Sequence, residues 1–260
     1  MTKKKRTYSF LATLIAMVWI LLIAGPVYAH FPWITLHEAD GEPDFRQFEI
    51  GWGHHFPENG ILSADRVESI RLIKPNGEAR EISAKQGPRH ALKDLDASGT
   101  YILEAIQTGS YYSRTTRGGK RGSRADYPNA LSCGFSSNTM KALFSTGEGA
   151  DAADAGKRLG HPLEIVPLKN PAALDAGDVL PVKVLFHGAP YTGGVGATWD
   201  GFAGEGDFAL ETEAGNDGVV EIPLKEAGFW LIMVHAGEDY PNPDICDQLN
   251  YNATLTFWID

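Results

Sequence analysis

His30 stands in the stretch "PVYAHFPWITLHE", Pro26 to Glu38, directly after Ala29. If the working chain begins there, this one residue offers a cation two nitrogens, its α-amine and its ring Nδ1, in a six-membered chelate. Amine and imidazole nitrogens suit nickel, cobalt, copper and zinc. The α-amine titrates at about 7.7–8.0, so a metal displaces its proton at modest cost near neutrality. Pro32 has no amide hydrogen. A planar peptide-nitrogen chelate therefore stops at Phe31, and further ligands must come from elsewhere in the chain.

The segment "GWGHHFPE" supplies the next candidates, His54 and His55. Adjacent strand residues point to opposite faces, so both can meet one ion only from a turn, which Gly51, Gly53 and Pro57 favour. One of the pair is expected to ligate while the other packs or supports it. His54 is preferred slightly because Gly53 lets the backbone come close to a bound group. His235 ends the apolar run "WLIMV" ahead of Glu238 and Asp239, which makes it a third-ligand or partner-contact candidate. Each has an ordinary alternative: a chain that merely starts at histidine, a solvated loop pair, a hydrogen-bonded strand end. His37 reads as an exposed or hydrogen-bonded side chain. His90, His161 and His187 sit in turn-like contexts and receive no role. Tyr111, Tyr112 and Tyr240 could line a site, but aromatic residues in β domains are mostly core.

No catalytic signature accompanies these residues. The chain has no G-x-S-x-G elbow, no H-E-x-x-H, no phosphate loop and no C-x-x-C, so it reads as a binding protein rather than an enzyme. The basic run "RTTRGGKRGSR", residues 114–124, lacks the aromatic interleaving of a nucleic-acid binder. It could contact an anion, but its ordinary reading is a solvated loop that docks onto the acidic remainder of the chain or onto another protein.

The elements that must position these groups follow a leader. Lys3, Lys4, Lys5 and Arg6 precede the apolar run Phe10 to Ile23, and Val27 and Ala29 are small residues where a signal peptidase reads. The run is shorter than the roughly 20 residues needed to span a bilayer. Residues 1–29 are therefore read as a cleaved signal peptide and the protein as periplasmic. The leader holds four of the 23 basic residues and none of the 33 acidic ones, so its removal leaves 231 residues and moves the net charge from −10 to −14. An acidic exported body disfavours nucleic acid and anionic membranes and mildly favours cations. Cys133 and Cys246 are the two cysteines, and in an oxidising compartment a disulfide between them is the default.

Strand signals dominate the remainder. Arg46 to Ile50 is extended and runs into the turn-like "GWGHHFPENG". "RVESIRLIKPNGEAREIS" reads as a hairpin turning at Pro75-Asn76-Gly77, and "GTYILEAIQTGSYYSRT" as a strong strand. Residues 113–132 read as a long loop, and residues 136–159 as a short helix followed by a linker. "DVLPVKVLFHGAPYTGGVGATW" gives two strands, "DFALETEAGNDGVVEIPL" a hairpin through Asn216-Asp217-Gly218, and "GFWLIMVHAG" and "YNATLTFWID" two more strands. Short strands at about 10-residue spacing argue for β-sandwiches. The expected fold is all-β: an N-terminal β domain over 30–145, a linker at 146–160, and a C-terminal β-sandwich over 161–260 of immunoglobulin-like or transthyretin-like kind.

Taken together, "AHFPW", "IGWGHHFPE", "GHPLEIVPLKNPAAL", "GDVLPVKVLFHGAP", "GVVEIPLKEAGFWLIMVHA" and "YNATLTFWID" resemble the DUF4198 family. That family is described as resembling periplasmic components of cobalt or nickel uptake systems. The resemblance covers essentially the whole mature chain. It implies binding of Ni²⁺ or Co²⁺ and presentation to a membrane permease, and it carries His30, His54 and His55 forward as ligands. An all-β chain departs from transport receptors built of two α/β lobes, which points to an accessory subunit.

The leading expectation is therefore a non-enzymatic periplasmic binder of nickel or cobalt, with metal ligands drawn from His30, His54, His55 and His235. Cu²⁺ is a further candidate, since nitrogen-rich sites generally hold it most tightly. Two alternatives stand beside it: a copper-dependent oxidase or monooxygenase built on the N-terminal histidine, and a structural envelope module in which the histidines are incidental.

Overall fold

The computed structural model describes residues 30–37, 46–57, 60–84, 89–147, 155–204 and 208–260. The expected leader, and residues 148–154 of the expected linker, lie outside the described residues. The first half carries β1 (Phe31–His37), β2 (Arg46–Gly53), β3 (Gly60–Ile61), β4 (Val67–Ile73) and β5 (Ala79–Glu81). It continues with β6 (His90–Leu92), β7 (Gly99–Thr115), β8 (Gly118–Arg121) and β9 (Ser132–Thr146). The second half adds β10 (Leu163–Pro167), β11 (Val179–Phe186), β12 (Ala189–Pro190) and β13 (Gly194–Trp199). Then come β14 (Leu210–Glu213), β15 (Val219–Pro223), β16 (Gly228–Asp239) and β17 (Gln248–Ile259).

Among the described residues these strands form three sheets. A nine-stranded sheet runs in the order β14-β13-β16-β17-β9-β7-β4-β5, with β8 on β7. One four-stranded sheet holds β1, β2, β3 and β6, and the other holds β10, β11, β12 and β15. The small sheets cover opposite faces of the long one, as alternation along β16 demonstrates. Phe229 enters a core with Ile34, Phe48, Ile50, Leu72, Leu103 and Met140, whereas Trp230, Ile232 and Val234 enter a core with Val182, Val184, Ile222 and Leu255. Strands covered on both faces read as nearly continuous apolar runs, which is why "GTYILEA" and "GFWLIMV" carry so few polar residues.

The fold is thus all-β with two sandwich cores, but the cores share one sheet. β9 from the first half pairs in parallel with β17, from Gly134↔Gln248 to Ala142↔Thr256. Residues Phe31–Asp260 form one compact unit. The division expected at 146–160 separates covering layers, not the sheet beneath them.

Three local expectations are corrected. Of the stretch 136–159, expected as a short helix followed by a linker, residues 136–146 are instead the C-terminal part of β9, while 148–154 lie outside the described residues and Ala155 is helical. Met140, Lys141, Ala142 and Leu143 favour helix intrinsically, but pairing with β7 on one side and β17 on the other overrides that preference. The loop expected at 113–132 is partly strand, because β7 runs to Thr115 and turns tightly into β8. The hairpin through Asn216-Asp217-Gly218 joins strands of different sheets: β14 pairs with β13, and β15 with β11. Gly218 makes that crossing with φ 78. A Cβ there would lie 2.6 Å from the Val184 carbonyl oxygen, so the turn passes too close to β11 for any side chain.

The hairpin expected over 66–83 is present as β4 and β5, and Cys133 and Cys246 are disulfide-bonded with their Cα atoms 4.9 Å apart.

Candidate functional site

β1 begins at Phe31, which lies opposite Gly53, the last residue of β2. From there β1 crosses the long sheet. Its Pro32 carbonyl accepts from the Thr254 hydroxyl at 3.0 Å and its Ile34 carbonyl from Thr256 at 2.7 Å. His30 is the exposed residue ahead of this ladder. His54 follows Gly53 in a bend and is half-buried, while His55 is exposed. The expected turn at "GHHFP" is therefore present.

His235 stands on β16 directly opposite Asn252. A row of polar side chains starts there and crosses four strands on the face that the first small sheet covers. His235 Nδ1 lies 2.9 Å from Asn252 Oδ1. Asn252 Nδ2 donates to Asn138 Oδ1 at 2.7 Å, and Asn138 Nδ2 to Gln107 Oε1 at 2.7 Å. Gln107, Asn138 and Asn252 are buried, while His235 is exposed. The chain of amides has one direction. Asn252 spends its NH₂ on Asn138, so its oxygen faces the imidazole and can only accept. Neutral His235 therefore carries its proton on Nδ1 and keeps a lone pair on Nε2. The same arrangement orients histidines that bind metals through Nε2. Among the described residues, however, no group of three or more His, Cys, Asp or Glu side chains gathers as a metal cage. His37 lies 3.6 Å from Glu49 through Nε2, beyond hydrogen-bond range.

A second cluster escaped the sequence reading. Glu104 is fully buried on the opposite face of the sheet. It accepts from Arg71 Nε and, at 2.8 Å, from Arg71 Nη2, and it meets His161 Nε2 at 2.5 Å. Burial alone would raise its carboxyl, but the hydrogen bonds from His161 and Arg71 outweigh that and hold it at about 2. Lys141, paired across the strands with Glu104, binds Glu164 at 2.9 Å. Burial lowers the Lys141 ammonium, and the Glu164 carboxylate opposes that. Glu164 also accepts from the backbone amides of Leu159 and Gly160 at 2.5 and 3.2 Å. The group ties the 157–164 segment to the sheet. Its Nδ1 on His161 is buried with no hydrogen-bond partner. No local pattern announces it, since Glu104 and His161 are 57 residues apart.

The third feature is an arm. β7, β8 and the start of β9 extend alongside the end of β16 and the start of β17. The Cys133–Cys246 bridge pins this arm. Arg124 Nη2 meets both Asp247 oxygens at 2.7 Å, and Asp247 Oδ2 accepts from the Cys133 amide at 2.7 Å. The Tyr111 and Tyr240 hydroxyls are 2.5 Å apart. Arg114, Arg117, Lys120 and Arg121 remain exposed along it.

Residues 27–238 match the family described as a domain of unknown function, DUF4198. The chain belongs to that family. The DUF4198 description names no activity, and no curated protein matches the chain. Among solved structures, the DUF4198 chain is similar to a tetra-tandem repeat in the extending region of a large adhesion protein. The identity is 13% and the TM-score 0.25, over 89% of this chain and 50% of that one. It is also similar to the D0–D1 domain of intimin, at 14% identity and TM-score 0.21, over 88% of this chain and 100% of that one. The chicken CNTN1 FN1–FN3 domains match at 12% identity and TM-score 0.20, over 78% and 60% of the respective chains. This chain spans half the length of the adhesion-protein repeat and the whole of the intimin segment.

Proposed function

We propose that this DUF4198 protein is an exported, non-enzymatic β-sandwich module of the cell envelope that works through a surface contact. The observation that carries this reading is the braced arm. A disulfide, a bidentate Arg124–Asp247 pair and the Tyr111–Tyr240 contact hold four exposed cations in fixed places on a protein of net charge −10. Fixing charged groups before contact lowers the ordering cost of binding, and disulfides belong to oxidising compartments. The sandwich over 161–260 is taken as immunoglobulin-like or transthyretin-like. The test is retention of the purified protein on washed envelope fractions. Reversing the charge at Arg114, Arg117, Lys120 and Arg121 is expected to abolish retention, and unchanged retention overturns the reading.

A second reading, favoured by the His235 orientation, is periplasmic binding of Ni²⁺ or Co²⁺, or of Cu²⁺, for delivery to a membrane permease. A chain cut after Ala29 starts one residue before Phe31, and His54 lies one residue after its ladder partner Gly53. Those nitrogens, with the exposed His235 Nε2, supply the donor types a borderline cation takes. N-terminal sequencing of exported protein, followed by metal titration, tests it. One site per chain is expected, weakened at least tenfold (about 1.4 kcal/mol) by His30→Ala or by one extra residue ahead of His30. Equal affinity in all three proteins ends this reading and leaves the first intact. Copper-only binding with oxidative turnover on a polymer would favour the oxidase alternative.

A further inference from the structure

We infer that one face of the arm, built on Tyr112, Arg114 and Arg121, binds an acidic glycan, a polymer of sugar rings bearing carboxylates. This rests on the surface-contact reading above and names the chemistry of its partner.

The register places the three side chains together. Tyr112 lies directly opposite Arg121, and Arg114 directly opposite Gly119. Directly opposed residues, and residues two apart on one strand, share a face. Tyr112, in the last pair of the β7–β8 ladder, is 55% exposed. Its ring lies down along the sheet instead of standing away from it. A Cβ on Gly119 would fall 1.5 Å from the Tyr112 hydroxyl oxygen and 2.2 Å from Cζ, so the tip of the ring occupies the place of a Gly119 side chain. Glycine at 119 is what allows an aromatic surface to be laid open between two arginines.

Asp65 lies within electrostatic reach of Arg121, but no ion pair closes on Arg114 or Arg121 among the described residues. The acidic groups that pair with arginine there go to Arg71, Arg80 and Arg124. Nearby, Arg66 stacks over the Trp52 ring at 4.3 Å. Burial and then repulsion from Arg121 hold the Arg66 guanidinium below its usual range, with Asp65 partly offsetting this. The Asp65 carboxylate already meets part of this positive field, and Arg114 and Arg121 beside the exposed Tyr112 ring are the cations left for an outside anion.

The chemistry favours a glycan over an acidic peptide. A peptide would add to the free edge of β8, but that edge is only four residues long and carries Lys120 and Arg121, devices that discourage strand addition. A sugar ring presents C–H groups to the negative face of an aromatic ring, and its carboxylate accepts the paired N–H fork of arginine. The described face offers both at the spacing of adjacent strands, about 4.8 Å.

The experiment titrates protein purified from cells expressing the full chain with oligogalacturonate, with the same oligomer methyl-esterified, and with poly-glutamate of matched charge. Oligogalacturonate is expected to bind, with esterification and the change to poly-glutamate each weakening binding at least tenfold. Tyr112→Ala and Gly119→Ala should each cost a similar factor with the melting temperature unchanged. In Gly119→Ala the tyrosine is still present and only its resting place is filled. Equal binding of poly-glutamate, or no effect of Tyr112→Ala, overturns the glycan assignment while leaving arm-dependent retention standing. If no acidic oligomer binds although envelope retention depends on the arm, the assignment also fails.

Discussion

His235 donates its Nδ1 hydrogen to the side-chain oxygen of Asn252, 2.9 Å away on the neighbouring strand. The amide is locked in that sense by Asn138 and Gln107 behind it. Long-range ¹H–¹⁵N correlation on the neutral imidazole should find His235 protonated on Nδ1. In Asn252→Leu that preference should disappear, and stability should fall by about 1–3 kcal/mol because the buried Asn138 oxygen loses its donor. A signal from the Nε2–H form in the parent protein would contradict the relay.

Glu104 should shape the acid limb of stability. Its carboxyl sits at about 2 in the fold against 4.5 without perturbation. A depressed folded value means that the contribution is complete above the unfolded value and disappears as pH drops towards the folded one. The difference corresponds to something on the order of 3 kcal/mol. Glu104→Gln leaves Arg71 and His161 without their carboxylate and should cost about 3–5 kcal/mol at neutral pH. Urea midpoints followed from neutral pH into the acid range should fall less steeply for the variant. Parallel curves would assign the acid sensitivity to other carboxylates.

The disulfide closes a loop across 113 residues of sequence. Replacing both Cys133 and Cys246 by serine should remove about 2–4 kcal/mol and loosen the arm more than the cores. Hydrogen exchange should then accelerate first at the Tyr111–Arg124 and Ile245–Gln248 amides. Uniform acceleration across the sheet would argue against local bracing.

Phe229 belongs by sequence to the second half but packs in the first core, in ring contact with Phe56 at 5.1 Å. Phe229→Ala should cost about 3–5 kcal/mol and lower the melting temperature of the whole chain in one calorimetric transition. Two separate transitions, with only the later-sequence half affected, would show that the shared sheet does not couple the cores.

Strand content was legible because burial on one or both faces leaves period-two or continuous apolar runs, as in Tyr101–Ala105 and Phe229–Val234. Turn chemistry marked the β4–β5 hairpin through Asn76 and Gly77. The stretch Met140–Leu143 misled for a physical reason: its residues favour helix locally, and only the two strands beside it hold it extended. The Asn216–Gly218 turn resembled a hairpin because the sequence records that the chain reverses, without recording which sheet receives the returning strand. The bend at His54 and His55 was anticipated. The Gln107–Asn138–Asn252 row and the Glu104–His161 contact were not.

From the sequence alone came an all-β, acidic chain with one cysteine pair, a histidine-bearing bend and a basic run, each a property of residues near one another in the chain. The tertiary structure decided the rest. It merged two sandwiches onto one sheet, turned the basic run into a braced arm, and assembled a directional row of amides behind His235. Those outcomes depend on register between strands as far apart as Asn138 and Asn252, and register is set by the joint fit of all three sheets rather than by any single segment.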